Sequence, residues 1–206
     1  MKTVFLFDLD STVTKEEILP TIASKINKGN EMRELTEKTM MGDLPFVESF
    51  TERVNILKDV SVSSVSSMIS NIKLSEIIVD FIRAHKDRCY IVTSNLNVWI
   101  DGLIRKIGIP DHCFCSEAIV DNGKILGIGK ILKKESAIEK LTSNRIVAIG
   151  DGSNDYDMIR KADIGISYGG VRTIAPCLYQ ISDYSIFDEA TLCSFLETII
   201  EDDNEQ

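Results

Sequence analysis

Two aspartates, Asp8 and Asp10, stand directly after the apolar run Thr3 to Phe7. Such a run reads as a fully buried strand, and carboxylates at i and i+2 beyond its end can both reach one small volume. Phosphoryl transfer needs an attacking oxygen and an acid for the departing one, and paired carboxylates in different surroundings divide those roles. A second cluster, Gly150-Asp151-Gly152-Ser153-Asn154-Asp155, offers carboxylates to a hard, oxygen-seeking cation. Mg2+ suits it, since that ion is typically held by one or two carboxylates with substrate phosphate and water. The glycines on either side of Asp151 permit a tight turn back toward Asp8. A third cluster, Thr93-Ser94-Asn95, supplies hydroxyl and amide groups. Lys134 is the candidate cation for the transferring oxygens because it opens a predicted helix, and Lys133 beside it remains the alternative. Each cluster alone reads as an ordinary strand-to-helix loop with capping residues. Three clusters after three strands read as one site, because ligands bind at the carboxyl ends of strands in doubly wound sheets.

The elements that must position these groups follow from periodicity. After Thr3–Phe7 the chain turns to helical spacing from Lys15 to about Ser75, with Ile18, Leu19, Ile22 and Ile26 and later Phe46, Phe50, Val54 and Leu57 at three- and four-residue intervals. Residues 27–30 and 42–45 break that stretch, and Val60 to Ser70 suits a short helix. From residue 76 short strands alternate with helices: helix 76–85, strand 89–92, helix 98–107, a hairpin over 118–130 turning at Asp121-Asn122-Gly123, helix 134–141, strand 146–149 and helix 156–162. Strands at 164–167 and 180–182, a helix 189–200 and a frayed acidic tail 201–206 complete the pattern. The expected fold is α/β, a Rossmann-like doubly wound parallel sheet built from residues 1–14 and 76–206, with a small inserted all-helical cap over 15–75.

Composition sets the outer limits. With 206 residues, 44% hydrophobic and 27% charged, the chain reads as an ordinary globular protein with one substantial core. The net charge of −9 and the absence of a basic stripe argue against a nucleic-acid partner. No apolar run approaches the roughly 20 residues that span a bilayer, and the run before Asp8 is unlike a signal peptide. The five cysteines are irregularly spaced and read as free thiols, which fits a reducing cytoplasm.

Taken in order, Asp8-x-Asp10-x-Thr12, Thr93, Lys134 and Gly150-Asp151-Gly152-x-Asn154-Asp155 resemble the motif set of the haloacid dehalogenase (HAD) superfamily of phosphotransferases. That resemblance implies Asp8 as nucleophile and Asp10 as general acid and base. It implies Mg2+ held by Asp8, the Asp10 backbone carbonyl and Asp151. Thr93, Ser94, Lys134 and Asn154 would hold phosphate, with Thr12 and Asp155 behind them. The second aspartate favours phosphatases and phosphomutases over dehalogenases.

The inserted segment is similar to that of the phosphoserine phosphatase family. Glu17 follows Asp8 by nine residues, Arg53 opens Arg53-Val54-Asn55-Ile56-Leu57-Lys58, and Met40-x-Gly42-x-Leu44-x-Phe46 matches an apolar lid. By that similarity Glu17 reads a substrate ammonium, Arg53 reads its carboxylate, and Met40 and Phe46 line the lid. Hydrolysis of O-phospho-L-serine, a step of serine biosynthesis, is the implied reaction. The alternatives are another small phosphorylated metabolite, phosphotransferase or phosphomutase chemistry, and a receiver-like phospho-aspartate switch. Two departures bear on the choice: Thr93-Ser94-Asn95 stands where the family usually has Ser-Gly-Gly, and Gly169-Gly170-Val171-Arg172-Thr173 where it has a small Lys-Pro loop. The expected partner is a small phosphorylated metabolite, with neither nucleic acid nor membrane, in a monomer or weak homodimer.

Overall fold

The structure, a computed structural model, describes residues 2–41, 43–142 and 144–205. Strands β1 (Thr3–Phe7), β2 (Cys89–Leu96), β3 (Cys113–Asp121), β4 (Lys124–Lys130), β5 (Arg145–Gly150), β6 (Ile164–Tyr168) and β7 (Tyr184–Ile186) form one sheet in the order β4-β3-β2-β1-β5-β6-β7. Neighbouring strands run parallel except in the β3–β4 hairpin. The chain winds outward from β1 in both directions, so the strand order reverses there. A crevice opens at the carboxyl ends on either side of such a switch point.

Every residue of β1 is buried, which is why it is an unbroken apolar run rather than an alternating one. Phe5 and Phe7 face one core, shared with α5 (Glu76–Ala84), α6 (Asn97–Ile107) and α9 (Glu189–Glu205). Val4 and Leu6 face a second core, shared with α7 (Ser136–Glu139) and α8 (Tyr156–Lys161). The period-two alternation of a strand therefore fills both faces of the sheet.

Between β1 and α5 lie α1 (Ile18–Lys25), α2 (Gly29–Met41), α3 (Phe46–Leu57) and α4 (Val62–Ile69). Ile18 and Ile22 of α1 and Phe50 and Val54 of α3, on the apolar stripes that the helical spacing marks out, share one core with Met32 of α2 and Val65 and Ile69 of α4. The two ends of this segment are clamped together. Thr14 bridges Leu74, Lys15 N–H donates to the Lys73 carbonyl at 2.8 Å, and Ser75 N–H to the Val13 carbonyl at 2.9 Å.

Several elements differ from the sequence expectation. The β2 strand runs to Leu96, so Thr93-Ser94-Asn95 lies on the strand rather than in the loop after it. The hairpin begins at Cys113, and its turn holds Asn122 at φ 47° and Gly123 at φ 74°, the signs that an Asn-Gly hairpin turn requires. The predicted helix 134–141 shortens to Ser136–Glu139, which leaves Lys134 in the preceding turn. No strand forms at 180–182. Pro176 starts a tight turn through Gln180, and the edge strand is displaced to Tyr184–Ile186, beside β6. The acidic tail is helical through Glu205 because Asp203 is tied to the core: it accepts from Thr3 N–H (2.9 Å), Thr3 Oγ1 (2.7 Å) and Arg88 Nη1 (2.8 Å).

Candidate active site

Asp8 leaves β1 with its N–H still bonded to the Ile149 carbonyl of β5 at 2.9 Å, so the sheet fixes its position. The chain then turns sharply over Leu9–Val13, with Ser11 at φ 57° and its N–H donating to Thr14 Oγ1 at 3.1 Å. This turn folds Asp10 back beside Asp8. Asp10 Oδ1 accepts from Ile18 N–H at 2.8 Å, and Oδ2 accepts from the Asn95 side-chain amide at the end of β2. Asn95 in turn donates from its backbone N–H to Thr93 Oγ1 at 3.2 Å.

Across the crevice, Lys134 Nζ donates to Asp8 Oδ1 at 2.5 Å and to Asp155 Oδ1 at 2.6 Å, with all three side chains buried. Lys133 is exposed, so burial singles out Lys134. The remaining Asp155 oxygen accepts from the backbone N–H groups of Asp151 (3.1 Å) and Gly152 (2.9 Å), which shapes the turn after β5. Gly150 is needed there for room: a Cβ on it would lie 2.5 Å from Asp155 Cγ. Neither Gly150 nor Gly152 has positive φ, so close approach is the requirement they meet.

The electrostatics of this cluster follow from burial. Asp8 is pushed up to about 7, first by burial and then by Asp155, with Lys134 opposing. Burial, Asp8 and Asp155 raise Asp151 well above the usual carboxylate range. Burial alone would lower Lys134, but Asp155 and Asp8 outweigh it and hold the ammonium firmly charged. Oxygens of Asp8, Asp151 and Asp155 lie within 4.8 Å of one another. Asp151 Oδ1 is buried with no hydrogen-bond partner among the described residues, a costly state for a carboxylate oxygen.

That donor set fits a hard dication, and it also ranks the ligands. Asp155 has both oxygens engaged by three donors, whereas Asp151 has one oxygen bare. Both carboxylate oxygens of Asp10 accept hydrogen bonds, one from Ile18 N–H and one from the Asn95 side chain.

Above the carboxylates lies a cleft of about 560 Å³ including its mouth. Thr93, Ser94 and Asn154 line it together with Glu17, Phe46 and Arg53. Arg53 is buried, donates from Nε to the Ser49 carbonyl at 3.4 Å, and lies 5.8 Å from the Phe46 ring centroid and 6.0 Å from that of Phe50. No carboxylate pairs with it among the described residues, and burial lowers its pKa. Ser153 Oγ donates to the Thr39 carbonyl at 3.3 Å, joining the α2 end of the helical segment to the loop after β5. Thr12 is fully buried, its hydroxyl without a hydrogen-bond partner among the described residues. The Met40 side chain and Gly42 lie outside the described residues.

Sequence reasoning assigned no role to Arg172. It reaches the cleft from the loop after β6, donates from Nε to Asp151 Oδ2, and pairs through Nη1 with Glu17 Oε1. The signal was a cation shortly after a further strand end, in a stretch visible only as a departure from the family pattern. Thr36, Thr39, Phe50 and Ser153 also line the cleft and were unmarked as site residues.

The doubly wound sheet and the buried aspartate–lysine cluster at its switch point define an α/β enzyme built for chemistry on a phosphoryl group. The haloacid dehalogenase-like hydrolase family model matches residues 5–160, and the chain belongs to that family. It is 30% identical to a phosphoserine phosphatase of Archaeoglobus fulgidus over 91% of this chain, and spans 57% of that relative's length. It is 32% identical to a phosphoserine phosphatase of Methanocaldococcus jannaschii over 81% of this chain and 85% of the relative. A substrate-bound phosphoserine phosphatase complex superposes with a TM-score of 0.81 at 27% identity, covering 95% of this chain and 98% of that one. A phospho-aspartyl intermediate analogue of phosphoserine phosphatase gives 0.80 at 27% identity, covering 94% and 98%.

Proposed function

We propose that the chain is a Mg2+-dependent phosphomonoester hydrolase that acts through an aspartyl-phosphate on Asp8, with O-phospho-L-serine as a substrate. The observation that carries this reading is Lys134 bridging Asp8 and Asp155 beside the bare oxygen of Asp151. The names of the relatives and of the superposed structures supply the substrate.

Asp8 attacks phosphorus in line, the bond from phosphorus to the alcohol oxygen breaks, and Asp10 delivers a proton to that oxygen. Water then attacks the phosphorus of the aspartyl-phosphate, its proton passes to Asp10, and the bond to Asp8 breaks to release phosphate. Asn95 holds the Asp10 carboxylate in place for both transfers, and Lys134 stabilises charge on the transferring oxygens. Thr93, Ser94 and Asn154 cradle the phosphoryl group, with Thr12 and Asp155 supporting from behind. Asp8, the Asp10 carbonyl and Asp151 would hold Mg2+, which supplies positive charge against the phosphoryl oxygens.

Residues 15–75 act as the cap. Contact between Ser153 and Thr39 closes it over the cleft, where Phe46, and Met40 by the sequence resemblance, exclude water and Arg53 binds the substrate carboxylate. Among the described residues no helix is long and apolar enough to cross a membrane. The free cysteines are consistent with the cytoplasm as its location, and we take the unit to be a monomer or weak homodimer.

Asp8→Asn should lower Mg2+-dependent hydrolysis of phosphoserine by roughly a thousandfold or more. Turnover at the wild-type rate in that variant would end the scheme.

A further inference from the structure

Asn95 lines the cleft and is buried, yet only the nitrogen of its amide is engaged. Nδ2 donates to Asp10 Oδ2 and, at 3.2 Å, to Thr93 Oγ1, so both amide hydrogens are spent. These bonds fix which way the amide faces, because turning it over would set a carbonyl oxygen against a carboxylate oxygen. Oδ1 is left buried with no hydrogen-bond partner among the described residues. A carbonyl oxygen can only accept, and a buried acceptor left bare is costly. Ser94 Oγ is bare as well, but a hydroxyl can turn to donate to a phosphoryl oxygen. Asn95 Oδ1 needs a donor that arrives with a ligand.

The connection to Asp10 says which donor that is. One amide group joins Oδ1 to the carboxylate that exchanges protons, so a single small molecule can donate to both oxygens and bridge them. Both displacements at Asp8 are in line, so the attacking oxygen of the second step enters where the alcohol oxygen departed. Water brings two hydrogens to these two acceptors. An alcohol brings one, and once that is turned to Asp10 its carbon faces Oδ1.

We infer that Asn95 Oδ1 accepts the second hydrogen of the attacking water, which makes the aspartyl-phosphate react with water in preference to alcohols. The inference rests on the hydrolase reading above and deepens it, by naming the residue that favours hydrolysis over phosphoryl transfer. In the water reaction the new bond to phosphorus forms as the bond to Asp8 breaks. One proton passes to Asp10, and the second hydrogen stays on the phosphate oxygen that faces Asn95. In the alcohol reaction the only hydroxyl proton passes to Asp10, the new ester oxygen carries carbon, and Oδ1 remains bare.

The test follows p-nitrophenyl phosphate with Mg2+ in aqueous methanol. Absorbance reads p-nitrophenol, and phosphorus NMR at early times reads inorganic phosphate and methyl phosphate. The ratio of methyl phosphate to phosphate shows how one intermediate partitions between two nucleophiles. It does not depend on how fast that intermediate forms, so slow variants are read equally well. A poorly held Asp10 slows both branches alike and leaves the ratio where it was, which separates this role from support of Asp10. In the wild type, methyl phosphate should fall at least about tenfold below the share set by the mole fraction of methanol. Asn95→Ala, which opens space, and Asn95→Leu, which fills it, both remove the acceptor and should each raise the ratio by about tenfold. Asn95→Asp keeps an acceptor oxygen but loses the amide donors, so p-nitrophenol release should slow while the ratio stays within about threefold of wild type.

A ratio unmoved in both apolar variants overturns the inference. So does a rise in Asn95→Ala alone, which would mean that bulk and not hydrogen bonding excludes the alcohol. In either case inorganic phosphate as the wild-type product leaves the hydrolase reading standing. Methyl phosphate as the main wild-type product overturns that reading and this inference with it.

Discussion

Asn95 stands where glycine is usual in the family that the chain resembles, and its side-chain amide donates to Asp10 Oδ2. Asp10 thereby has a donor on each carboxylate oxygen, one from the start of α1 and one from the end of β2. Hydrogen bonds to charged groups contribute about 1.5–3 kcal/mol, enough to fix one orientation of a carboxyl group. Asn95→Ala should therefore weaken proton delivery more than nucleophilic attack. The kcat for an alkyl phosphate such as phosphoserine should fall by about tenfold or more. For p-nitrophenyl phosphate, whose leaving group needs little protonation, the fall should be smaller. Equal losses on the two substrates would remove Asn95 from the proton-transfer geometry.

Elements carry these residues only as well as their turns allow, and the turn after β5 is the tightest constraint. A Cβ at residue 150 would lie 2.5 Å from Asp155 Cγ and 2.9 Å from its Cβ, so Gly150→Ala must displace Asp155. That carboxylate holds Lys134 and two backbone N–H groups at once. The variant should lose about 1–3 kcal/mol of stability by urea denaturation, together with most activity. Unchanged stability would mean that the turn relaxes freely. The sequence made this turn legible, as it did β1, the stripes of α1 and α3 and the Asn-Gly hairpin, because each is encoded within a few neighbouring residues. What it hid was non-local. The Arg172–Glu17 pair joins residues more than 150 positions apart, and Asp203 orders the last turns of α9 through Thr3 and Arg88. The β7 strand has three residues with only Ile186 buried, too short for its alternation to stand out. The choice of Lys134 over Lys133 likewise needed burial, which adjacent lysines do not reveal.

At the scale of the molecule, a chain of net charge −9 buries Asp8, Asp151 and Asp155 around a single lysine, with Arg172 partly compensating. Metal-free, this arrangement costs stability in a pH-dependent way whose sign is fixed. An unfolded aspartate loses its proton near 3.8, whereas folded Asp8 keeps its proton up to about 7, and Asp151 is shifted in the same direction. The folded state thus binds more protons across that window, so stability falls as pH rises from about 4 to about 7 and stays low above it. A dication competes with those protons and binds the deprotonated carboxylates, so Mg2+ restores most where the loss is greatest. Thermal unfolding at pH 5 and pH 8, with and without saturating Mg2+, reads this directly. The rise in Tm on adding Mg2+ should be larger at pH 8, where each kcal/mol regained corresponds to about 2–4 °C. Asp8→Asn removes the strained charge, so the metal-free variant should match or exceed wild type at pH 8 and respond less to Mg2+. A Tm gain of equal size at both pH values would show that the ion binds elsewhere than among these carboxylates.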